Sequence, residues 1–188
     1  MDAQRRVPWR IVSSTYPVDS PYLRLRCDVI ELPDGRIIHD YYVRETRGFT
    51  VIFALTADDR VVLVRQYKHG AEREVLELPA GMVDEGESPE TCAVRELAEE
   101  TGYAGDAPEH VRTFLADPTS SNGRFDVYLV RNAEPRVAQR FDPTEDIAVE
   151  FAALREVLSL ARDGVIRTGS HVACIYATLD YLGLLAPR

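Results

Sequence analysis

The sequence predicts an α/β domain in which helices cover a mixed β-sheet, entered through a smaller strand region at the N-terminus. Three observations predict it. Residues 49–56 (Phe-Thr-Val-Ile-Phe-Ala-Leu-Thr) are continuously apolar, as expected of a strand buried on both faces. Beyond residue 81 the hydrophobic period lengthens from that of strands to that of helices. A length of 188 residues allows one compact domain and a modest extension.

In chain order, residues 22–32 alternate apolar and polar, Pro33-Asp34-Gly35 supplies a turn, and 36–44 returns as the partner strand of a hairpin. A boundary near 46–48 separates this region, 1–47, from the main domain, 48–188. The polar turn 57–60 links strand 49–56 to a second strand, 61–67. Residues 89–101 read as a helix with marked ends: Ser88 as N-cap, Pro89 at the first helical position and Gly102 just past the last. Strands are expected at 111–116, 124–131 and 147–152. Helices are expected at 153–163, ending at Gly164, and at 171–183 after the cap candidate Ser170. The last carries an apolar stripe of Val172, Ile175, Tyr176, Leu179 and Leu182.

Composition narrows the classes of function. A chain that is 45% hydrophobic and 28% charged is that of an ordinary globular protein. It has no apolar run of the ~18 residues that span a bilayer, and its first residues lack the apolar core of a secretory signal. A cytoplasmic location and no membrane partner are therefore expected. Cys27, Cys92 and Cys174 are widely spaced and odd in number, the pattern of reduced thiols. The net charge of −9 counts against a nucleic-acid surface but leaves room for a small phosphorylated ligand held by local Arg and Lys.

The chemistry concentrates in residues 81–103. On the helix, Glu96, Glu99 and Glu100 stand at i, i+3 and i+4, while Val94, Leu97, Ala98 and Thr101 can pack on a sheet. Like charges so spaced repel by roughly 0.2–0.5 kcal/mol per pair. Either this is a solvated acidic face or something neutralises it, and a hard divalent cation would.

The wider spacing favours the cation. Read as Gly, five residues, Glu, seven residues, then Arg-Glu-Leu-Ala-Glu-Glu-Thr-Gly-Tyr, the stretch resembles the signature of Nudix hydrolases at every specified position. Gly81, Glu87, Arg95, Glu96, Glu99, Glu100 and Gly102 match the fixed residues, and Leu97 and Tyr103 the bulky apolar ones. The resemblance implies an α/β/α sandwich carrying a loop–helix–loop that holds Mg²⁺, with Mn²⁺ as the alternative. It implies Glu96 and Glu100 as metal ligands, Glu99 as a ligand or as the group that activates water, and the backbone carbonyl of Ala80 as a further ligand. Arg95 and Glu87 would hold the loop and orient the carboxylates. The implied reaction is hydrolysis of a pyrophosphate bond, in which metal ions screen the phosphoanhydride and lower the pKa of bound water.

The flanks resemble the Nudix branch that cleaves ADP-ribose and nucleotide sugars: Arg65-Gln66-Tyr67-Lys68, Leu76-Glu77-Leu78-Pro79-Ala80-Gly81, and Pro118 lying 16 residues beyond Gly102. By analogy Lys68 is a candidate phosphate contact, with Arg44, Arg65 and Glu77 as further substrate candidates, although Arg65 and Glu77 could instead pair with each other. The branch also implies a homodimer, with the N-terminal region packed across a two-fold axis. Trp9 and the pair Tyr41-Tyr42 could stack on a base or pack in a core, with core packing favoured. His39, His69 and His110 are expected at the surface, and His171 as a hydrogen-bonding group near a helix cap.

Two departures from the branch stand out. Thr119 to Arg124 lacks the glutamate often found in the corresponding loop, and Pro143 falls where some relatives carry a catalytic glutamate. The water-activating base is therefore assigned first to Glu99 and second to Glu145 (or Asp142) in the acidic loop before residue 147. The leading alternatives are hydrolysis of a nucleoside triphosphate or of coenzyme A. A nucleotide-sensing module without turnover is the alternative from another class.

Overall fold

The structure, a computed structural model, describes residues 7–141 and 146–185. The chain divides into two units, one of residues up to Thr46 with Leu115–Gly123, the other of Arg47–Phe114 with Arg124 onward.

The first unit is an antiparallel sheet of β1 (Arg10–Asp19), β2 (Arg24–Glu31) and β3 (Ile37–Glu45) in that order. The expected hairpin is there. Its turn closes with the Gly35 N–H donating to the Leu32 carbonyl at 2.9 Å, and Gly35 adopts φ +83°, which an L side chain rarely tolerates. The extra strand, β1, has no period-2 pattern and every residue of it is exposed. Pro17 lies in the interval where its pairing with β2 slips, between Thr15 and Val18, as a residue without an N–H should. Asp28, only 2% exposed, accepts hydrogen bonds from Ser14 Oγ at 2.6 Å and Arg26 Nε at 2.9 Å. The segment 115–123 belongs here through Ser121 Oγ, which donates to the Arg44 carbonyl at 3.0 Å, and the Tyr41 hydroxyl, which donates to the Thr119 carbonyl at 2.6 Å. The preference for core packing is corrected for Trp9 and Tyr42, which are 52% and 50% exposed: this sheet has almost no interior to put them in.

The second unit contains β4 (Phe49–Ala54), β5 (Arg60–Lys68), β6 (Arg73–Glu77), β7 (Ala80–Met82), α1 (Pro89–Thr101), β8 (Tyr103–Ala104) and β9 (Glu109–Leu115). It continues with β10 (Arg124–Val130), β11 (Glu134–Pro135), β12 (Ile147–Ala153), α2 (Leu154–Arg162) and α3 (Gly169–Tyr181). One sheet runs β7-β4-β10-β9, with β10 parallel and β7 antiparallel to β4; the other is the antiparallel β12-β5-β6. Strand parity sorts the core into two layers. Val51, Phe53, Val61, Leu63, Val127 and Leu129 pack with Val157 of α2 and with Cys174, Ile175 and Leu179 of α3. The alternate residues Ile52, Ala54, Val62, Tyr128 and Val130 pack with Ala93 and Leu97 of α1. The result is the expected α/β/α sandwich.

Helix α1 has the expected ends: Ser88 Oγ accepts the Thr91 N–H at 3.1 Å, and Gly102 closes the helix at φ +74°. Helix α3 starts earlier than expected, with Thr168 at its N-cap and Ser170 inside the first turn. Its buried face is also wider, because Cys174, Ala177 and Thr178 are buried whereas Tyr176 is 37% exposed.

Candidate active site

The site forms where the three-residue strand β7 meets α1. Gly81 lacks a side chain because the Glu96 carboxylate occupies its place; a Cβ there would lie 1.9 Å from the Glu96 carboxyl carbon. One residue earlier, the Ala80 N–H donates to Glu100 Oε2 at 3.0 Å. Glu100 is 3% exposed, so it belongs to the core-facing side of α1, and Val94, expected on that side, is 48% exposed. Leu97 and Thr101 face inward as expected, and Glu100 is carried in with them beside a backbone amide.

Arg95 organises the rest. Its Nε and Nη2 each donate at 2.9 Å to the two oxygens of Glu87, a bidentate pair. Its Nη1 donates to Glu96 at 2.7 Å and Glu99 at 3.1 Å, and Nη2 also reaches the Met82 carbonyl at 3.0 Å. Glu87 accepts the Asp84 N–H as well, at 3.0 Å, which closes the loop onto itself. Pairing with Arg95 is the main reason the Glu87 carboxyl is held down to about 2. The same contacts raise the Arg95 guanidinium further above its usual value. Buried Cys92 sits beneath, 3.4 Å from Thr50 Oγ1, and burial pushes its thiol up to about 11, which leaves it protonated and inert.

The donor set suits a hard divalent cation. Carboxylate oxygens on successive turns of one helix lie beside a glycine cradle that a Cβ would fill. Among the described residues, no three acidic, histidine or cysteine side chains already stand as a cage. Arg95 occupies Glu96 and Glu99 in their place.

Other candidates are distributed as follows. Arg65 pairs with Glu150 of β12, Nε to Oε1 at 2.5 Å and Nη2 to Oε2 at 3.2 Å. The Arg65–Glu77 pairing is corrected: Glu77 lies opposite Val64 in the β5–β6 ladder and so shares that residue's face, not Arg65's. Glu77, a substrate candidate, is 4% exposed and accepts from Thr168 Oγ1 at 2.6 Å. Lys68 is exposed at the end of β5, and Arg44 is exposed on β3 of the first unit. His39, His69 and His110 are exposed, as expected. His171 is buried, not at the surface, and its Nδ1 accepts the Leu78 N–H at 3.1 Å. Glu145 and Asp142 lie outside the described residues. Sequence reasoning missed Arg47 and Arg124, which line a cavity of about 320 Å³ together with Asp84, Glu85 and Glu87. No motif marks them; Arg47 lies two residues before β4 and Arg124 is the first residue of β10, and only the pairing of those strands brings them together.

A sandwich that seats a carboxylate helix on a glycine strand sets hard oxygen donors at one place, where a divalent cation could bridge to a phosphorylated ligand. The family comparison is specific. The model described as NUDIX domain matches residues 44–169, so the chain belongs to the Nudix hydrolase family. A second, described as nucleoside diphosphate sugar hydrolase N-terminal domain, matches residues 9–43. The chain is 30% identical over 142 residues to the methanol dehydrogenase activator of Bacillus methanolicus, covering 75% of this chain and 76% of that one. It is 30% identical over 132 residues to the ADP-ribose pyrophosphatase of Bacillus subtilis, covering 70% and 71% respectively. A crystal structure of an ADP compounds hydrolase superposes with a TM-score of 0.83, covering 97% of this chain and 100% of that one, at 19% identity. At that identity the likeness speaks for the fold alone. No helix of the described residues is long and apolar enough to cross a membrane.

Proposed function

We propose that this Nudix enzyme hydrolyses the pyrophosphate bond of a nucleoside diphosphate derivative, with ADP-ribose or a nucleotide sugar as substrate and Mg²⁺ as cofactor, in the cytoplasm. The observation that carries the reading is the complete carboxylate set of α1 docked on Ala80–Gly81, with Glu96 filling the glycine's vacant side and Glu100 buried on the Ala80 amide. The relative named for ADP-ribose and the match to a nucleoside diphosphate sugar hydrolase N-terminal region support the substrate class.

In this reading Glu96, Glu100 and the Ala80 carbonyl would hold the ion. A bound ion screens the phosphoanhydride and makes its coordinated water a better nucleophile. Glu99, whose side chain is 36% exposed, would accept the proton of the attacking water. Arg95 and Glu87 keep the loop and carboxylates aligned, so that little reorganisation remains at reaction. Lys68 is proposed as a contact to the substrate's phosphates, and the cavity arginines Arg47 and Arg124 add positive charge for an anionic group. Arg65 and Glu77, each satisfied by another protein group, serve packing. A homodimer covers the exposed strand β1.

The test is phosphate release from ADP-ribose, nucleotide sugars, coenzyme A and a nucleoside triphosphate, with Mg²⁺ and with chelator. Mg²⁺-dependent cleavage of the first two supports the reading. Preference for coenzyme A or the triphosphate would replace the substrate class, and binding without turnover would make the protein a sensor.

A further inference from the structure

The buried groups around His171 are left unused by the reaction described above. His171 is 5% exposed, at the start of α3, and its Nδ1 accepts the Leu78 N–H at 3.1 Å. An acceptor at Nδ1 requires the neutral ring, with its proton on Nε2. Burial enforces that state by pushing the ring down to about 4. Nε2 lies 3.6 Å from Glu77 Oε1, which in turn accepts from Thr168 Oγ1 at 2.6 Å. The N-terminal turn of α3 is thus tied to Glu77 and Leu78 at three side chains.

Leu78 occupies a particular place in the chain. It follows β6, which belongs to the β12-β5-β6 sheet, and precedes β7, which belongs to the β7-β4-β10-β9 sheet. Leu78–Pro79 is therefore the crossover between the two sheets. Two residues on, the Ala80 N–H holds Glu100, and Gly81 carries Glu96 against its Cα. Pro79 offers no N–H and its carbonyl accepts the Ile52 N–H at 2.9 Å. The Leu78 amide is thus the nearest backbone donor upstream of Ala80, and a side chain from α3 anchors it.

We propose that His171 is a positioning residue: by holding the Leu78 amide it sets where β7 presents Ala80 and Gly81 to the carboxylates of α1, and so tunes cation affinity and turnover. The proposal rests on the reading of Ala80, Glu96 and Glu100 as cation ligands. His171 touches neither the ion nor the substrate.

The experiment compares the wild-type protein with His171→Leu, which removes the acceptor, and His171→Asn, which keeps one at the δ position. The readouts are the Mn²⁺ dissociation constant by electron paramagnetic resonance, kcat and KM separately, and hydrogen exchange at the Leu78 amide in the wild type. His171→Leu should weaken Mn²⁺ binding and lower kcat by about 10-fold each, the scale of outer-shell effects on metal sites, with KM little changed. His171→Asn should restore most of both. The wild-type Leu78 amide should be strongly protected. Wild-type Mn²⁺ affinity and kcat in a folded His171→Leu protein would overturn the proposal. If that variant does not fold, a fast-exchanging Leu78 amide in the wild type, or a His171→Asn protein that folds but loses Mn²⁺ binding, overturns it instead. Failure of the wild-type protein itself to bind Mn²⁺ would mark failure of the ligand reading on which the proposal stands.

Discussion

The strands β1 and β4 differ in what holds them. Val51, Ile52, Phe53 and Ala54 of β4 are each 0% exposed, between one helix layer and the other. In β1, Ile11, Val12, Tyr16 and Val18 are 53%, 48%, 41% and 37% exposed. Both are hydrogen-bonded strands, yet only β4 gains from burial, worth roughly 1.5–3 kcal/mol for a fully buried Val, Ile or Phe side chain. The α/β unit is built around its own core, whereas the three-stranded unit leaves large apolar side chains exposed. One region therefore owes its order to packing and supports chemistry. The other is where we propose that a second copy docks. Substitutions in the two regions should have separable effects, and that is the way to break the comparison.

The largest effect is expected in the α/β unit. Glu100→Gln should lower kcat about 100-fold, near the upper end for groups that ligate or orient a metal, and chelation should abolish turnover in the wild type while circular dichroism stays unchanged. The molecular mass should not move. Full turnover by Glu100→Gln at saturating Mg²⁺ would remove this glutamate from the site.

Gly81→Ala sharpens the same point at smaller scale. The atoms nearest the added Cβ are the carboxylate end of the Glu96 side chain, at 1.9 Å, and that side chain can swing away. Stability should therefore change little while kcat falls by at least about 10-fold, the scale of outer-shell effects on metal sites, if Glu96 is the ligand proposed above. A loss of melting temperature that matches the loss of activity would show the glycine to be structural only.

Much of this was legible in the sequence, and what was not has definite physical causes. Helix α1 announced itself through Ser88, Pro89 and Gly102, because caps are local chemistry. The burial of Glu100 was not legible: the sequence groups it with Glu96 and Glu99 on one carboxylate face, and only the fold brings the Ala80 amide, 20 residues away, to it. Strand β1 was missed because, exposed throughout, it needs no alternation to exist. Strands β6 and β7 are short, and Glu74 and Glu77 mask the apolar residues of the former. His171 is the hydrogen-bonding group near a helix cap that was expected; its burial was not legible, because that depends on what packs against the helix start.

In the first unit, Ile11→Asp with Val18→Asp should turn a homodimer into a monomer in light scattering, since the charges would be buried in any interface formed by β1. Secondary structure should persist, because β1 pairs with β2 through its backbone. A wild-type protein that is already monomeric and fully active would refute the assembly role for this surface.

The smallest expected effect is an acid profile with two limbs, both assigned to the α/β unit. His171 is lowered from 6.5 to about 4, chiefly by burial, with Glu77 opposing the shift and Lys68 adding to it. Above pH 6.5 the ring is neutral whether the chain is folded or not. Between 6.5 and 4 the unfolded chain takes up a proton that the native ring refuses, so the native state loses stability as the pH falls across that window. Glu87 is lowered from 4.5 to about 2 by Arg95. Its contribution is intact above 4.5 and is lost as the pH falls from there towards 2, where the native carboxyl finally protonates. Urea midpoints measured at half-unit steps from pH 8 to pH 2.5 should therefore begin to decline near 6.5 and steepen below 4.5. His171→Asn should flatten the upper limb only, since asparagine does not titrate, and Glu87→Gln should reduce the lower limb only, leaving the remaining carboxylates to account for what is left of it. If His171→Asn left the decline between 6.5 and 4 unchanged, the buried neutral imidazole would not be its source, and the tie between α3 and the sheet crossover would have to be weaker than its 3.1 Å hydrogen bond implies.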